Sequence, residues 1–538
     1  MIALKWCRVV VATLVFAAVV ALFLDFTKTV PRDLHWLLHL QVTQMILGGS
    51  FVGLLILLLT TFLLGRVYCS CLCPFGIMQD MIARIGRLFR GKKKKHYLFR
   101  KEMKKTRYSF LAIFAVGLIA MIFTPVAAVV TLLDSYSNFG RIMNALACSL
   151  WIKGNDFLVQ FAPDRFYYEG VYMTLASFLT AIAVLLPVGF LAFFFGRRYC
   201  NTICPVGTLL GLVAKFSPIK VRLKADCISC GLCEKSCKGE CIDSKNKTVD
   251  SSRCVACFNC LSTCRRGSIV YALPLAPTLP QTVQNQNPPV TSESSDIPAT
   301  DSSRRRFLQG TAFSFLLPSF ITSLGAARGN SPPPDSSLPS GVSRIGYEMT
   351  IPILPPGAIS RKHYQSRCTG CHLCVTKCPA NIIVPSTLEL GIGGFMQPIL
   401  KFDHGFCGYD CTICTEVCPS RALQKIETKE EKHLIQFGRV YFLKDNCVVE
   451  TSGTNCGACA EHCPTGAVTM VPVEGSTTLT IPVTDPDLCI GCGACEYICP
   501  VRPYRAIYVE GIDVHAQAKP AYDPDAKQEE AKLEEFWF

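Results

Sequence analysis

Cys489-Ile490-Gly491-Cys492-Gly493-Ala494-Cys495-Glu496-Tyr497-Ile498-Cys499-Pro500 decides how this chain is read. Three thiolates spaced two residues apart wrap one corner of an iron–sulfur cubane, and a fourth, before a proline, points to a neighbouring cluster. Working back from it, the arrangement recurs as Cys447/Cys456/Cys459/Cys463, Cys407/Cys411/Cys414/Cys418 and Cys368/Cys371/Cys374/Cys378. Two earlier boxes, Cys227/Cys230/Cys233/Cys237 and Cys254/Cys257/Cys260/Cys264, end in Lys238 and Arg265 rather than proline. Twenty-four of the 32 cysteines thus form six boxes, enough for six [4Fe–4S] clusters and a row of one-electron carriers.

Other uses of these cysteines fit less well. Zinc sites pair C-x2-C knuckles rather than using three cysteines in C-x2-C-x2-C. Disulfides do not account for a spacing repeated six times. Cys368-Thr369-Gly370-Cys371-His372 matches a covalent haem motif. Cys374 and Cys378 complete a box over the same residues, so His372 reads as incidental.

The 538 residues suit two to four domains, half of them are hydrophobic, and mean hydropathy is +0.32. Apolar content is concentrated early, in runs at 7–24, 41–64, 108–133 and 171–195, each able to cross a bilayer core. From Arg84 to Arg107 there are twelve Lys or Arg, Lys92, Lys93, Lys94 and Lys95 among them, against one acid, Glu102. The loops 25–40 and 134–170 are near balanced, through Asp25, Asp33, Asp134, Asp156, Asp164 and Glu169. The positive-inside rule places 65–107, the amino terminus and the segment after 196 in the cytoplasm. The net charge of +14 follows from this topology, and no nucleic-acid partner is needed to explain a short basic loop between spans.

The chain therefore reads as multidomain: an all-α four-helix transmembrane domain plus α+β ferredoxin-like [4Fe–4S] domains, one with two clusters and one with four. The four-span domain occupies 1–210 and the cytoplasmic two-cluster domain 211–273. A Pro/Ser/Thr/Gln/Asn-rich linker covers 274–302, and 328–357 is a second linker. Between them, 303–327 opens with Ser303-Arg304-Arg305-Arg306-Phe307-Leu308-Gln309, a twin-arginine export signal or a fifth membrane segment. The four-cluster domain, 358–520, is then periplasmic, and 521–538 is a tail. Its boxes start 39, 40 and 42 residues apart, a repeat, and each is followed by a short apolar piece read as a strand: Ile382-Ile383-Val384, Ala422-Leu423, Ala467-Val468 and Ala506-Ile507.

Two phrases stand out in the membrane part. Gly65-Arg66-Val67-Tyr68-Cys69-Ser70-Cys71-Leu72-Cys73-Pro74-Phe75-Gly76 and Gly196-Arg197-Arg198-Tyr199-Cys200-Asn201-Thr202-Ile203-Cys204-Pro205-Val206-Gly207 share G-R-x-Y-C-x3-C-P-x-G. They indicate an internal duplication with Cys69, Cys73, Cys200 and Cys204 meeting near a pseudo-twofold axis. Those thiols could bind a further metal centre, act as redox thiols, or only shape tight turns. The apolar runs hold no histidine, so no haem is expected; His35 and His39, at the mouth of the second run, could contact a quinone headgroup or, with Trp36, anchor the interface.

On these motifs the first 270 residues resemble the NapH-type membrane anchors, a pattern shared by the FixG and NosR families, and 303–520 resemble the NapG and MauM polyferredoxins. The resemblance implies a natural fusion in the bacterial inner membrane, an electron-transfer subunit of a quinol dehydrogenase system of anaerobic respiration. It would take electrons from menaquinol or a cytoplasmic donor and feed a periplasmic reductase or cytochrome subunit. It also implies that Cys378 and Cys499 are exchanged between the first and last of the four late boxes, and Cys418 and Cys463 between the middle two. Cys241 competes with Cys237 as an outlying ligand. A redox sensor or an assembly factor for a periplasmic metalloenzyme is the alternative. A self-contained reductase would need a flavin, molybdopterin or Gly-rich nucleotide signature, and none is found.

Overall fold

The computed structural model describes residues 2–25, 30, 32–90, 97–124, 127–161, 174–273, 346–347, 349–473 and 478–520. The twin-arginine segment 303–327, the linker 274–302, Lys92 to Lys95 and the tail 521–538 lie outside the described residues.

Long apolar stretches without charge form helices that satisfy their own backbone. The first run is the helix Ile2–Leu24 and the fourth is Leu175–Phe195. By length and composition Ala3–Leu24 and Leu175–Phe195 can each cross a bilayer. The other two runs are not single helices. The second divides into Val42–Leu47 and Phe51–Leu64 around Gly48-Gly49-Ser50, where Gly49 has φ 70°. The third becomes Lys104–Phe123 followed by Ala128–Leu133. The outer faces carry exposed Phe51, Leu55, Val116, Leu186 and Phe190 in a broad apolar surface that no other element covers among the described residues.

The segment 134–161, expected as a loop, is helical: Ser135–Ile142, a π-helical stretch Met143–Cys148 and Ser149–Phe161. The Asp134 carboxylate caps it by accepting from the Ser137 N–H at 2.9 Å, and Tyr136, Phe139, Ile142 and Met143 enter the bundle core. Its apolar periodicity is short and interrupted by polar residues that find buried partners only in three dimensions.

The two-cluster domain pairs strand Lys220–Leu223 antiparallel with Ile269–Ala272, with a small hairpin of Ile242–Asp243 and Thr248–Val249 between them. In the four-cluster domain Ile383–Pro385 pairs with Pro398–Leu400, Val468–Pro472 with Thr480–Thr484, and Ile435–Phe442 with Ile507–Gln517. Three of the four expected strands form. Ala422-Leu423 does not, because the Leu423 N–H turns to the Cys418 sulfur at 3.4 Å and the Gln424 N–H to the Gly357 carbonyl at 2.8 Å.

Each long helix meets the two-cluster domain at one end and the four-cluster domain at the other. In the first, Lys5 donates to Ser262 at 3.1 Å, and Asp25 pairs with Lys377 at 2.9 Å just past the far end. Around Phe51–Leu64, the preceding Leu47 carbonyl accepts from Arg367 at 3.3 Å and the Leu64 carbonyl from the Tyr271 hydroxyl at 2.8 Å. On Lys104–Phe123, Arg107 donates to Ser252, while the Ala127 N–H beyond the helix bonds the Gly393 carbonyl at 3.0 Å. On Leu175–Phe195, Thr180 reaches Met396 Sδ at 3.8 Å, and the Arg197 N–H after the helix bonds the Lys238 carbonyl at 3.0 Å.

Candidate metal centres

The two-cluster domain contains two cysteine-lined cavities. One of about 240 Å³ has Cys227, Cys230, Cys233 and Cys264 in its walls, so the last cysteine of the second box closes the first. The other is bounded by Cys254, Cys257 and Cys260 together with Cys237 and Cys241. Four thiols around each space suit a cubane with exchanged fourth ligands. Cys241 is a fifth thiol at the second site, with its sulfur 3.5 Å from that of Cys237. Their hydrogen bond draws Cys237 down and Cys241 up.

The four late boxes pair differently from the order the resemblance implies. Cys418 stands with Cys368, Cys371 and Cys374. Cys378 stands with Cys407, Cys411 and Cys414. Within that group Cys411 is half-buried, and its N–H bonds the Gly408 carbonyl at 3.1 Å in a tight turn, with its thiol within electrostatic reach of Cys378. Cys411 therefore shares its site with the last cysteine of the preceding box, not with Cys463 as the resemblance implied. Cys499 shares a cavity with Cys447, Cys456 and Cys459, and Cys463 stands with Cys489, Cys492 and Cys495. Exchange is therefore between sequential boxes. The physical reason is local: the short helices Leu373–Lys377 and Ile413–Glu416 pack on each other, as do Ala458–Glu461 and Ala494–Ile498. Each Cys-Pro then swings its thiol into the adjacent box. The two pairs meet where the Cys407 N–H bonds the Cys492 carbonyl at 2.9 Å.

Burial pushes the Cys459 thiol up to about 12 and the Cys489 thiol up to about 11, so metal must displace the protons there. His372 occupies a left-handed position, φ 61°, where Gly231 and Gly493 stand in other boxes. Its buried ring lies 3.0 Å from the Met396 carbonyl and 3.4 Å from Asn144 Nδ2, and burial pushes it down to about 3. It is a packing and docking residue.

The structure brings Cys69, Cys73, Cys200 and Cys204 together in the bundle core. The helices Phe51–Leu64 and Leu175–Phe195 end on Gly65 and Gly196, at φ 70° and 72°, and each then turns sharply into its phrase. The two arginines cross over. Arg66 Nη2 approaches Cys69 Sγ at 3.8 Å and donates to the Cys200 carbonyl at 3.2 Å. Arg197 Nη1 approaches Cys200 Sγ at 3.9 Å and donates to the Cys69 carbonyl at 2.7 Å. The Gly207 N–H donates to Cys204 Sγ at 3.3 Å, and the Gly76 N–H does the same for Cys73. Asp80, buried beside them, is held by Arg8, by Arg197 at 2.7 Å and by Lys238 at 3.3 Å. The arginines and Asp80 were not singled out in the sequence, although Arg66 and Arg197 belong to the repeated phrase.

Neither His35 nor His39 faces the sulfurs. His39 turns to the Pro419 carbonyl and Arg421 of the four-cluster domain, and burial lowers its pKa. Among the described residues, no three or more His, Cys, Asp or Glu side chains are drawn close enough to hold a single metal ion. That applies equally to the six boxes, Cys407, Cys411, Cys414 and Cys418 included.

A family described as "4Fe-4S binding domain" matches residues 47–96 and 174–224, the two copies of the phrase with their flanks. Two families described as "4Fe-4S dicluster domain" match 367–423 and 454–502, the same pairs of boxes that the structure joins. The Escherichia coli protein YccM, named for electron transport, is 27% identical over 218 residues, 40% of this chain and 54% of its own. The ferredoxin-type protein MauM of Methylobacillus flagellatus, named for methylamine utilization, is 30% identical over 148 residues, 26% of this chain and 59% of its own. The ferredoxin-type protein NapF of Escherichia coli is 28% identical over 157 residues, 29% of this chain and 85% of its own. The chain thus spans little more than half the length of YccM and of MauM. No solved structure matches. The cysteine-lined cavities and these similarities together define an iron–sulfur protein of the ferredoxin type, whose work is electron transfer.

Proposed function

We propose that this chain is a multi-pass protein of the bacterial inner membrane that passes electrons from menaquinol, or from a cytoplasmic donor, to a periplasmic oxidoreductase. The observation that carries this reading is the placement of the two ferredoxin-like domains at opposite ends of one helical bundle. The exposed apolar faces of the bundle supply the lipid contact. Arg100 and Arg107, at the end of the basic stretch, contact Glu240 and Ser252 of the two-cluster domain, which supports a cytoplasmic position for that end. Bound [4Fe–4S] clusters supply one-electron carriers at each of the six boxes. The protein's own residues fix the distances. Arg66, Arg107, Asn201 and Arg197 hold the two-cluster domain through its backbone carbonyls, with Asn201 donating to Gly239 at 3.1 Å. Asp25 and Gln44 hold the four-cluster domain through Lys377 and Thr369, the latter at 3.0 Å. A quinone headgroup is proposed beside His35 and His39, next to exposed Trp36.

The test is anaerobic purification of the full chain, titration with a menaquinol analogue and optical or EPR observation of the clusters. Reduction of the clusters by the quinol, with menaquinone bound in the purified sample, is expected. Failure of both the quinol and a cytoplasmic-side reductant to reduce any cluster would contradict the proposal.

A further inference from the structure

We propose that Cys69, Cys73, Cys200 and Cys204 together hold an additional iron–sulfur cluster, a seventh centre lying between the two ferredoxin-like domains, with Arg66 and Arg197 as its counter-charges. Buried cysteines in a helical core are ordinarily small hydrophobes. Three observations set this quartet apart.

The first is charge. Arg8, Arg197 and Lys238 are all buried on one buried carboxylate, Asp80. Arg66 is fully buried and meets no carboxylate within ion-pair distance among the described residues. Uncompensated buried cations are strongly unfavourable. A cluster ligated by four thiolates is an anion in the place where the balance is missing. The second is the dress of the sulfurs. Backbone N–H groups of Gly76 and Gly207 point at Cys73 and Cys204, and a guanidinium lies against each of Cys69 and Cys200. Hydrogen bonds to sulfur of this kind tune iron–sulfur centres. A Cβ at 76 would stand 2.6 Å from the Cys69 carbonyl, and one at 207 would stand 2.8 Å from Arg66 Nη2, so both turns exclude a side chain. The third is convergence. Cys73 lies within electrostatic reach of Cys69 and Cys200, and Cys204 of all three others, so the four thiols can share one centre.

The position gives the centre a use. The same core cluster contains Val255 and Cys257 of the two-cluster domain and Leu373, Val417 and Cys371 of the four-cluster domain. Arg141 lies within electrostatic reach of both Tyr199, next to the quartet, and Cys371. Loading replaces four S–H bonds by four Fe–S bonds and releases four protons to solvent.

Iron, zinc and acid-labile sulfide are counted on the anaerobically purified full chain, with EPR redox titration. The wild type is expected to carry about 28 irons if the seventh centre is a cubane. Cys69→Ala/Cys200→Ala is expected to carry about 24, with one EPR signal lost and the others unchanged. Arg66→Gln tests the site without removing a ligand: one signal should move to lower potential while the rest stay. Wild type at about 24 irons, zinc in place of the extra iron, or a double variant that loses no iron would overturn the inference while leaving the proposed electron-transfer role intact. An iron-free wild type would overturn both.

Discussion

The two copies of the repeated phrase share both glycines, the arginine, the tyrosine, the C-x3-C pair and the proline, and then part. Seven residues after Cys73, that is at Asp80, the first copy places a carboxylate; the second places Gly211 seven residues after Cys204. Asp80 gathers Arg8, Arg197 and Lys238, and so ties the end of the first cysteine box to the bundle. Gly211 leaves room for the Arg107 guanidinium, which lies against the Ser252 carbonyl at 3.1 Å before the second box and pairs with Glu102 at 2.7 Å. The arginine, cysteine and glycine contacts to the thiols are kept in both copies, with Gln79 beside Cys200 the exception, while Asp80 and the Arg107 seat at Gly211 dock the two-cluster domain. The duplication thus separates a symmetric chemical site from an asymmetric mount.

The comparison can be broken most severely at Asp80. Asp80→Asn leaves three cations buried on a neutral amide, and unfolding in denaturant should show a loss of about 5 kcal/mol, the upper part of the range for stripping a buried ion pair. If the mount is separate from the opposite docking face, trypsin should then release the two-cluster domain while the four-cluster domain stays attached. Lys377→Met is the reciprocal experiment. It removes the partner of Asp25 at the other end, should cost about 3 kcal/mol, and should loosen the four-cluster domain alone in the same digest. Equal loosening of both ends by either change would show the bundle to be one cooperative mount.

Gly211→Ala sharpens the comparison by forcing a methyl group into the space of Arg107, with about 2 kcal/mol lost as overpacking. Gly154→Ala, in open space inside the helix Ser149–Phe161, is the control and should raise stability by up to about 1 kcal/mol. The smallest effect is a pH dependence confined to the four-cluster domain. Burial pushes the His515 imidazole, which lies by the Phe437 ring, down to about 4. Its folded pKa lies below the unfolded value of about 6.5, so the neutral form is the one folding favours. Stability present at pH 7 is lost as pH falls from about 6.5 towards 4, amounting to about 2 kcal/mol at pH 5. Denaturant melts at pH 7 and pH 5 should show this in the wild type, and His515→Phe should remove about 2 kcal/mol of the pH 5 loss, leaving the part that buried His372 contributes.

The cysteine chemistry was legible because spacing alone dictates it. Six boxes and two phrases could be read without knowing any contact, and the early helices followed from apolar length. What the sequence did not reveal depends on partners distant along the chain. The break at Gly48-Gly49-Ser50 lies inside an otherwise apolar run, where a Cβ on Gly48 would stand 3.1 Å from the Pro419 carbonyl of the four-cluster domain. The helical segment 135–161 is polar enough to read as a loop, yet Ser137, Asn138 and Arg141 are buried, and Asn144 meets the ring of His372 in the four-cluster domain. The pairing of the late boxes is set by helix-on-helix packing, which puts Cys411 beside Cys378 although neither box shows this by itself. The crossing of Arg66 and Arg197 between copies has no signature in either copy alone.

The most direct test is vectorial. The full chain is reconstituted in sealed, quinone-free vesicles with one orientation, and a membrane-impermeant reductant is supplied only on the side of the two-cluster domain. The account predicts that the clusters of residues 358–520 bleach along with those of 211–273, and that Cys69→Ala/Cys200→Ala confines bleaching to the latter. Bleaching that stops at the two-cluster domain in the wild type would contradict it.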